Sequence, residues 1–317
     1  MILKNILIDT DIGPDCDDVA ALAMLNIYAN RGLCRILGIG HCTSNVYGAG
    51  TIDAICRFYG RPDVEIGTYK APGFLCDEKC IIYNKAITEE FPNRYRDHQP
   101  EDACAMYRRI LAEQPDHSVE FIAIGPLNNL SALLNSAADA HSPLNGKELV
   151  AQKVTRLVMM AGIFTAESAE ANAMVKELTG HTAADMEEFN VVCDIPAARN
   201  VAENWPTPKK YLGFEAGMVL TGIPAGADIG PENPVKRAYE LYTEDGRRYS
   251  WDLLTVEHAI NDNCPHYKLS APGHVRFDEN GRTMWTPDAQ GSDRYVIWAQ
   301  PSEKIESDIN ALLCTAE

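Results

Sequence analysis

The chain has 317 residues, of which 46% are hydrophobic and 23% are charged, and its formal net charge is −17. These fractions are typical of globular proteins and argue against disordered, collagen-like and coiled-coil chains. The excess of carboxylates disfavours nucleic acid and anionic membranes as partners, because both are negatively charged. No apolar run reaches the roughly 18 residues of a membrane helix, and the first residues do not resemble a signal peptide. We therefore expect a cytoplasmic protein.

The ten cysteines are scattered along the chain, which favours reduced thiols over a disulfide framework. Cys76 and Cys80 form the one closely spaced pair. No second pair and no nearby histidine completes a zinc site around them, so we predict no structural zinc at this pair.

Strands alternate with helices through the first two thirds of the chain. Apolar runs typical of buried strands occur at residues 2–8, 35–39, 64–66, 119–124 and 154–160. Helical patterns begin at Val19 and occur at residues 51–59, 101–113, 127–134 and 194–203. This alternation predicts an α/β fold with an open, mostly parallel sheet and helices on both faces.

Two stretches are less regular. Residues 68–98 are rich in turn-forming and aromatic residues, and we interpret them as a long loop and a candidate lid. In the last third of the chain we predict helices at residues 234–242, 251–260 and 302–313 and strands at residues 274–277 and 295–298. No repeat or linker interrupts the sequence, so we predict one domain over residues 1–317.

Five aspartates follow the first predicted strand within ten residues: Asp9, Asp11, Asp15, Asp17 and Asp18. Parallel sheets bind ligands at the carboxyl ends of their strands, which is where these side chains are expected. The start of the next helix favours carboxylates by about 0.3–1 kcal/mol each, but five are more than helix capping needs. A carboxylate set without His or Cys favours Ca²⁺ or Mg²⁺ over zinc. The alternative is a solvated acidic loop with a single helix cap.

Two other metal-using classes fit this cluster less well. A phosphatase of the haloacid dehalogenase type has Thr or Val four residues after its first aspartate, where this chain has Gly13. An EF-hand loop lies between helices and ends on Glu at its twelfth position, where this chain has Ala20 after a predicted strand.

The cluster also opens a series of motifs that resembles the inosine-uridine-preferring nucleoside hydrolases. Asp9-Thr10-Asp11, Gly13 and Asp17-Asp18 resemble the amino-terminal signature of that family. Further similar motifs follow in the family's order: Gly125-Pro126-Leu127-Asn128-Asn129, Met159-Met160-Ala161-Gly162, Glu188-Phe189-Asn190, Asp194-Ile195-Pro196-Ala197-Ala198 and Trp251-Asp252. Each motif alone is weak, but together, in the family's order, they are specific.

The resemblance implies a calcium-dependent nucleoside N-ribohydrolase that forms a homodimer or homotetramer. It implies that calcium is held by the side chains of Asp11, Asp18 and Asp252 and by the main-chain carbonyl of Asn128. Asp17 is then the general base. The sugar contacts implied by the same match are Asn45, Met160, Glu188 and Asn190.

Two departures from the family pattern affect these assignments. Six residues separate Asp11 from Asp17, against the family's usual four, so the loop carries a two-residue insertion and an additional carboxylate, Asp15. An ungapped match makes Asp15 the base; we favour Asp17, since the helix follows it directly, and expect Asp15 beside the substrate. The second departure is Trp251, which stands where many members have a His.

Trp251 predicts a preference for purine nucleosides. An indole cannot donate a catalytic proton at neutral pH, but its face can stack on a purine and attract a protonated ring. The alternative is that Trp251 only packs a helix end. Loop residues Tyr47, Phe74 and Tyr83 are candidates for a second stacking face or for local packing, and His41 is either near the site or a structural residue.

Cleavage of a ribosyl carbon–nitrogen bond gives the sugar oxocarbenium character, which nearby carboxylates stabilise. A cation that orients water, next to a carboxylate that accepts its proton, supplies the nucleophile. Direct attack by water inverts the anomeric carbon and needs no covalent intermediate. Two alternatives are a catalytically inactive relative that binds a ribosyl ligand through calcium, and a hydrolase of another ribosyl conjugate.

Overall fold

The centre of the fold is an eleven-stranded mixed sheet. It is seen in a computed structural model that describes residues 3–164, 169–182, 185–223, 229–230 and 232–314. The strands, in chain order, are β1 (Lys4–Thr10), β2 (Cys34–His41), β3 (Glu65–Thr68), β4 (Glu101–Asp102), β5 (Val119–Ile124), β6 (Val154–Met160), β7 (Lys209–Leu212), β8 (Leu220–Gly222), β9 (Arg247–Tyr249), β10 (Tyr267–Leu269), β11 (Gly273–Phe277), β12 (Thr283–Pro287) and β13 (Asp293–Trp298).

The strand order is β12-β11-β13-β7-β6-β5-β1-β2-β3-β4, and β10 pairs with β13. Every pairing from β13 to β4 is parallel, whereas β10, β11 and β12 pair antiparallel at the other edge. Strands β8 and β9 form a separate antiparallel pair. The prediction of an open, mostly parallel sheet is confirmed.

Helices cover both faces of this sheet. They are α1 (Asp17–Asn30), α2 (Gly48–Phe58), α3 (Asn84–Glu90), α4 (Ala103–Glu113), α5 (Asn128–Asn135), α6 (Gly146–Lys153), α7 (Ala169–Thr179), α8 (Phe189–Cys193), α9 (Ile195–Asn204), α10 (Pro234–Tyr242), α11 (Trp251–Ile260) and α12 (Ser302–Leu313). Alternate residues of β1 enter different cores: Ile6 and Ile8 pack with α1, α2 and α11, and Leu7 packs with α4, α5 and α9. The period of two in strand side chains therefore divides the interior into two apolar layers.

Helices α1 and α11 are the most deeply placed. All ten residues of α11 are buried, as are the first twelve of α1. A helix that is apolar on all sides belongs in the interior, and these two pack against each other beneath the sheet. Their first turns carry Asp17, Asp18 and Asp252, so helix packing brings together carboxylates that are more than 230 residues apart in sequence.

The structure corrects the interpretation of residues 68–98. This stretch contains a 3-10 turn at Glu78–Cys80 and the helix α3, so a loop without secondary structure was the wrong prediction there. The helix is short, and its buried side of Asn84, Ile87 and Thr88 is too small to give a clear periodic pattern. Asn84 Nδ2 donates to the Ile12 carbonyl at 2.8 Å, which ties α3 to the aspartate-rich loop.

Most other predicted elements are confirmed with their ends shifted by a few residues. The elements not predicted include β7, β10, β12, α6, α7 and the β8–β9 pair. Residue 2 of the first predicted strand lies outside the described residues. None of the described helices has both the length and the apolarity needed to cross a membrane. The single-domain assignment stays a prediction.

Candidate active site

A pocket of about 300 Å³ opens at the carboxyl ends of β1, β5 and β6. It contains most of the site residues predicted from the sequence: Asp11, Asp15, Asp17, Asp18, Met160, Glu188, Asn190, Trp251 and Asp252. Its other described lining residues are Pro14, Ile124, Phe189, Phe214, Tyr242 and Arg248. The lining therefore combines six carboxyl side chains with one guanidinium and an aromatic group.

The loop between β1 and α1 is shaped by Gly13. Its φ of +152° is rarely adopted by residues with a side chain, and a Cβ at this position would lie 2.5 Å from the Cys80 carbonyl oxygen. The turn at Gly13 carries the chain from β1 into α1, so that Asp11 lies before the turn while Asp17 and Asp18 lie after it. A Cβ on Gly125, after β5, would lie 2.7 Å from the Asp11 backbone nitrogen.

The carboxylates of Asp17, Asp18 and Asp252 form the centre of the site, which we call the acid cluster. One oxygen from each lies within 4.8 Å of the others, and the three residues are at most 5% exposed. Asp17 Oδ2 accepts a hydrogen bond from the Asp252 backbone N–H at 3.0 Å, and Asp18 Oδ1 accepts one from Thr10 Oγ1. The first turn of α11 thus donates one N–H to the cluster, and the cluster lies at the positive dipole ends of α1 and α11.

These carboxylates interact strongly with one another. Burial and the charge of Asp15 raise the pKa of Asp17, while burial and the charges of Asp11 and Asp17 raise the pKa of Asp18. Burial, then Asp17 and Asp18, raise the pKa of Asp252. The pKa of Asp11, which lies beside the cluster, is raised to about 8, again mainly by burial. This arrangement is suited to a bound cation, which would neutralise the repulsion.

Asp15 has a different environment, because it forms an ion pair with Arg248. The guanidinium Nε donates to both carboxylate oxygens of Asp15, at 2.8 and 2.9 Å, and Nη2 donates to one of them. Burial lowers the pKa of Arg248, but the hydrogen bond and charge of Asp15 raise it by more. Sequence reasoning missed Arg248, which enters the pocket from β9 without a motif of its own.

Glu188 and Asn190 form another part of the pocket wall. Glu188 caps α8, and its carboxylate accepts backbone N–H bonds from Asn190 at 2.7 Å and from Gly162 and Val191 at 3.1 Å. Burial raises its pKa to about 7, and these bonds lower it in part. Asn190 Nδ2 donates to the Met160 carbonyl at 3.2 Å, so β6 and α8 are joined at the pocket wall.

Trp251 is held firmly in an aromatic environment. Its Nε1 donates to the Phe214 carbonyl at 2.8 Å, and its ring lies 5.1 Å from the Phe214 ring. The Arg248 guanidinium lies over the indole at 5.3 Å. A Cβ on Gly217 would come within 2.0 Å of the indole, so only glycine permits this approach. Phe214 and the other aromatic lining residues were not predicted from the sequence.

Several candidate residues lie outside the pocket lining. Asn45 is buried, donates to the Cys80 carbonyl at 2.7 Å and accepts from the Tyr47 backbone N–H at 2.9 Å. Asn128 Nδ2 donates to the Cys42 carbonyl at 2.9 Å, while its Oδ1 is buried without a partner in the described part of the chain. The roles assigned to these two residues stay predictions.

His41 and the loop aromatic residues have structural contacts. The two ring nitrogens of His41 face the hydroxyls of Thr68 and Thr43, at 3.1 and 2.9 Å, and burial lowers its pKa to about 3. Tyr83 is fully buried and donates to the Asp15 carbonyl at 2.6 Å. Phe74 packs edge-on against Tyr69 at 5.8 Å.

Comparison with known families agrees with this geometry. The model of the family described as inosine-uridine preferring nucleoside hydrolase matches residues 6–268. The chain belongs to this family. The predicted family is confirmed, and the chain is, at the level of the family, a hydrolase that acts on nucleosides. A comparison with curated proteins found no significant match.

Solved structures share the fold at low sequence identity. The inosine-uridine preferring nucleoside hydrolase of Bacillus anthracis aligns with 98% of this chain and 99% of its own, at 17% identity and a TM-score of 0.67. The purine-preferring ribonucleoside hydrolase of Gardnerella vaginalis aligns over 98% of both chains, at 16% identity and a TM-score of 0.69. The type III effector XopQ, in complex with adenosine diphosphate ribose, covers 100% of this chain and 94% of its own, at 18% identity and a TM-score of 0.69.

Proposed function

We propose that this nucleoside hydrolase cleaves the N-glycosidic bond of purine ribonucleosides with water and uses Ca²⁺ held in the acid cluster. The observation that carries the proposal is the approach of three buried carboxylates to within 4.8 Å in a pocket that also contains Trp251, Glu188 and Asn190. The products are ribose, inverted at the anomeric carbon, and the free base.

The donor set fits a hard cation. The acid cluster and Asp11 offer only carboxylate oxygens, and Arg248, the one cation among the described lining residues, is engaged by Asp15. Oxygen-rich sites of this kind favour Ca²⁺. When bound, the ion would supply the charge that lowers the pKa of water and orients the sugar hydroxyls. We propose Asp18 and Asp252 as ligands together with Asp11, and keep the Asn128 carbonyl in the set.

The remaining carboxylate, Asp17, is proposed to accept the proton of the attacking water. Among the hydrogen bonds of the described residues, Asp17 accepts one, on Oδ2 from the Asp252 N–H, whereas both oxygens of Asp15 are engaged by Arg248. This supports Asp17 over Asp15 as the base. Asp11 is the competing candidate for the general base. It lies next to the acid cluster but is not one of its three members.

Replacing each carboxylate by its amide separates a base from a ligand. We expect Asp17→Asn to lower kcat by about 100- to 10,000-fold, the usual contribution of a general base, while calcium affinity falls much less. Asp11→Asn is expected to weaken calcium binding first. Calcium affinity is measured from the rise of the thermal midpoint during a calcium titration, and kcat is measured at saturating calcium. Together the two measurements distinguish a base from a ligand. The reverse pattern would assign the base to Asp11.

The remaining residues bind the nucleoside. Glu188 and Asn190 present polar groups to the sugar beside the Met160 side chain, and Trp251 with Phe214 and Tyr242 forms the surface for the base. The departing base takes the electrons of the broken carbon–nitrogen bond and a proton from solvent, the hydroxyl of water goes to the sugar carbon, and Asp17 returns the other proton of water to solvent. The aromatic surface and the purine-preferring relative from Gardnerella vaginalis support the purine assignment.

The purine preference is tested at Trp251. We expect Trp251→Ala to raise KM for inosine, guanosine and adenosine about 10-fold, because stacking of a base on an aromatic ring contributes about 1–3 kcal/mol. Trp251→Phe should keep most of the affinity. Uridine and cytidine offer a smaller stacking area and should lose less. An equal loss for all five nucleosides would contradict base stacking on Trp251.

The second candidate function is binding or hydrolysis of another ribosyl conjugate, and it is favoured by the similarity to XopQ, which was solved with adenosine diphosphate ribose. Release of reducing sugar from a panel of nucleosides and from adenosine diphosphate ribose, with and without chelator, distinguishes the two. Calcium-dependent release from purine nucleosides supports the first function. Binding of adenosine diphosphate ribose, without release from any nucleoside, supports the second.

Three wider assignments remain proposals that rest on the sequence and the resemblance: a homodimer or homotetramer, a cytoplasmic location and a role in purine salvage. Light scattering of the purified protein measures the first directly. Localisation of a tagged full-length chain and growth on a purine nucleoside as the purine source test the other two.

A further inference from the structure

A second buried group of metal-binding side chains lies at the far end of α11 from the acid cluster. It consists of Glu257 on α11, with Cys264 and His266 on the segment that leads to β10. One ligand atom from each lies within 4.8 Å of the others. The three residues are 5%, 8% and 3% exposed, so each is more than nine-tenths buried.

The imidazole of His266 is oriented by two carboxylates. Its Nε2 lies 3.0 Å from Asp308 Oδ2 on α12, and its Nδ1 lies 2.9 Å from Glu257 Oε2. When Nε2 donates its hydrogen to Asp308, Nδ1 presents a lone pair toward Glu257. Metal-binding histidines almost always donate their second ring N–H to a carboxylate, a backbone carbonyl or a water, which fixes the tautomer and makes the ligand nitrogen more basic. Asp308 is such a partner for His266.

We propose that Cys264 Sγ, His266 Nδ1 and the Glu257 carboxylate bind a divalent transition ion of the Zn²⁺ class. Sulfur, imidazole and carboxylate together are the ligand types of zinc, whereas the acid cluster has only the oxygen ligands of a hard cation. Binding releases two protons, one from the thiol and one from Nδ1, and the dication neutralises the thiolate and the carboxylate. The site is separate from the nucleoside pocket and goes beyond the proposed function.

The state without an ion is also well defined. A protonated His266 then bridges Glu257 and Asp308, and these two carboxylates with Cys264 raise its pKa to about 11 although burial lowers it. The adjacent Tyr267 hydroxyl is buried and has no hydrogen-bond partner in the part of the chain that is described.

An ion at this position would join three elements of the fold. Glu257 belongs to α11, Cys264 and His266 to the following segment, and Asp308 to α12. We therefore expect it to be structural, raising the thermal midpoint without entering the hydrolytic reaction. Closed sites of this kind stabilise the folded state because the unfolded chain does not present the ligands together.

The experiment uses the full chain, stripped with chelator and titrated with Zn²⁺ and with Co²⁺. We expect one equivalent of cobalt to give a thiolate-to-metal charge-transfer band in the near ultraviolet and one equivalent of zinc to displace it. Cys264→Ser should abolish the band, and Asp308→Asn should weaken zinc binding about 10- to 100-fold. Cys104→Ser, a cysteine outside the group, is the matched control and should keep the band.

Asp252→Asn, in the acid cluster, should also keep the band, which separates this site from the one proposed for calcium. The proposal is overturned if the wild-type chain shows no band, or if the band survives in Cys264→Ser. It is equally overturned if Asp308→Asn binds zinc as tightly as the wild type. If Cys264→Ser does not fold by circular dichroism, the wild-type spectrum and the affinity of Asp308→Asn decide the outcome.

Discussion

Two charged groups in this molecule, Asp53 with its two arginines and the acid cluster, differ in what neutralises their buried carboxylates. Asp53 on α2 is fully buried, but Arg57 Nε lies 2.7 Å from its Oδ2 and Arg94 Nε lies 2.9 Å from its Oδ1. The acid cluster is equally buried, and among the described residues no cation is paired with it; Arg248, whose charge lowers the pKa of Asp17, is engaged by Asp15. A buried charge is costly unless it is paired. The comparison teaches that Asp53 is part of the scaffold, whereas the acid cluster is suited to a cation supplied from outside the chain.

The largest expected effect is the loss of activity when one carboxylate of the acid cluster is removed. Asp252→Asn should lower kcat/KM by about 100- to 1,000-fold, the usual effect of losing a fixed electrostatic group in an active site. It should also abolish stabilisation by Ca²⁺, measured as the rise in thermal midpoint on adding the ion. We expect the folded state without calcium to be as stable as the wild type or more so, because one repulsive charge is gone.

Asp53→Asn is the matched change in the other group. It leaves two arginines without their partner, and we expect the free energy of unfolding to fall by about 3 kcal/mol. The rise in midpoint on adding calcium should be preserved. Loss of the calcium response in Asp53→Asn, or its persistence in Asp252→Asn, would remove the distinction between the two groups.

The next effect is a pH dependence of the metal-free protein. Burial raises the pKa of Asp11 from 3.8 to about 8, and that of Asp9 from 3.8 to about 7. The folded state holds these protons more tightly than the unfolded chain. The contribution of each group to the free energy of unfolding is therefore complete below its ordinary pKa, and it is lost as the pH rises through its pKa in the folded state. The Glu188 carboxyl, raised from 4.5 to about 7, acts in the same direction.

With chelator present, the free energy of unfolding should therefore fall by at least about 2 kcal/mol between about pH 5 and about pH 8, since one pKa unit corresponds to about 1.4 kcal/mol. Calcium should remove part of this fall, because an ion held by Asp11 and the acid cluster would favour the ionised form of Asp11. Urea unfolding at several pH values, with calcium or with chelator, measures both. A metal-free protein whose stability rises toward pH 8 would show that the cluster already has a countercharge.

The same comparison explains how much of the fold and of the site could be predicted from the sequence. The carboxylates after β1 and the alternation of apolar runs are local patterns, so the parallel sheet and much of the pocket could be predicted. Strand β7 could not, because Lys209 and Lys210 interrupt its apolar run; Lys209 is buried only because Asp293 of β13 lies 3.0 Å away. Arg248 was missed for a related reason, since its partner Asp15 is 233 residues distant in sequence.

The smallest effect concerns the Asp15–Arg248 pair, which is intermediate between the two groups. The charge of Asp15 raises the pKa of Asp17, and that of Arg248 lowers it. Arg248→Gln leaves Asp15 without its partner, so the pKa of Asp17 should rise. We expect the acid limb of the kcat/KM profile to move upward by about 0.5–1 pH unit, reduced by the partial exposure of both side chains.

The double variant Asp15→Asn with Arg248→Gln removes both charges and should return the acid limb close to its wild-type position. Asp15→Asn alone should move it downward, because Arg248 then acts on Asp17 without opposition. Together with the wild-type profile, these three profiles form a double-mutant cycle that measures the coupling between the two charges. All are recorded with one purine nucleoside at saturating calcium. If all three coincide with the wild type, the titrating group is not Asp17, and the assignment of the base moves to Asp11.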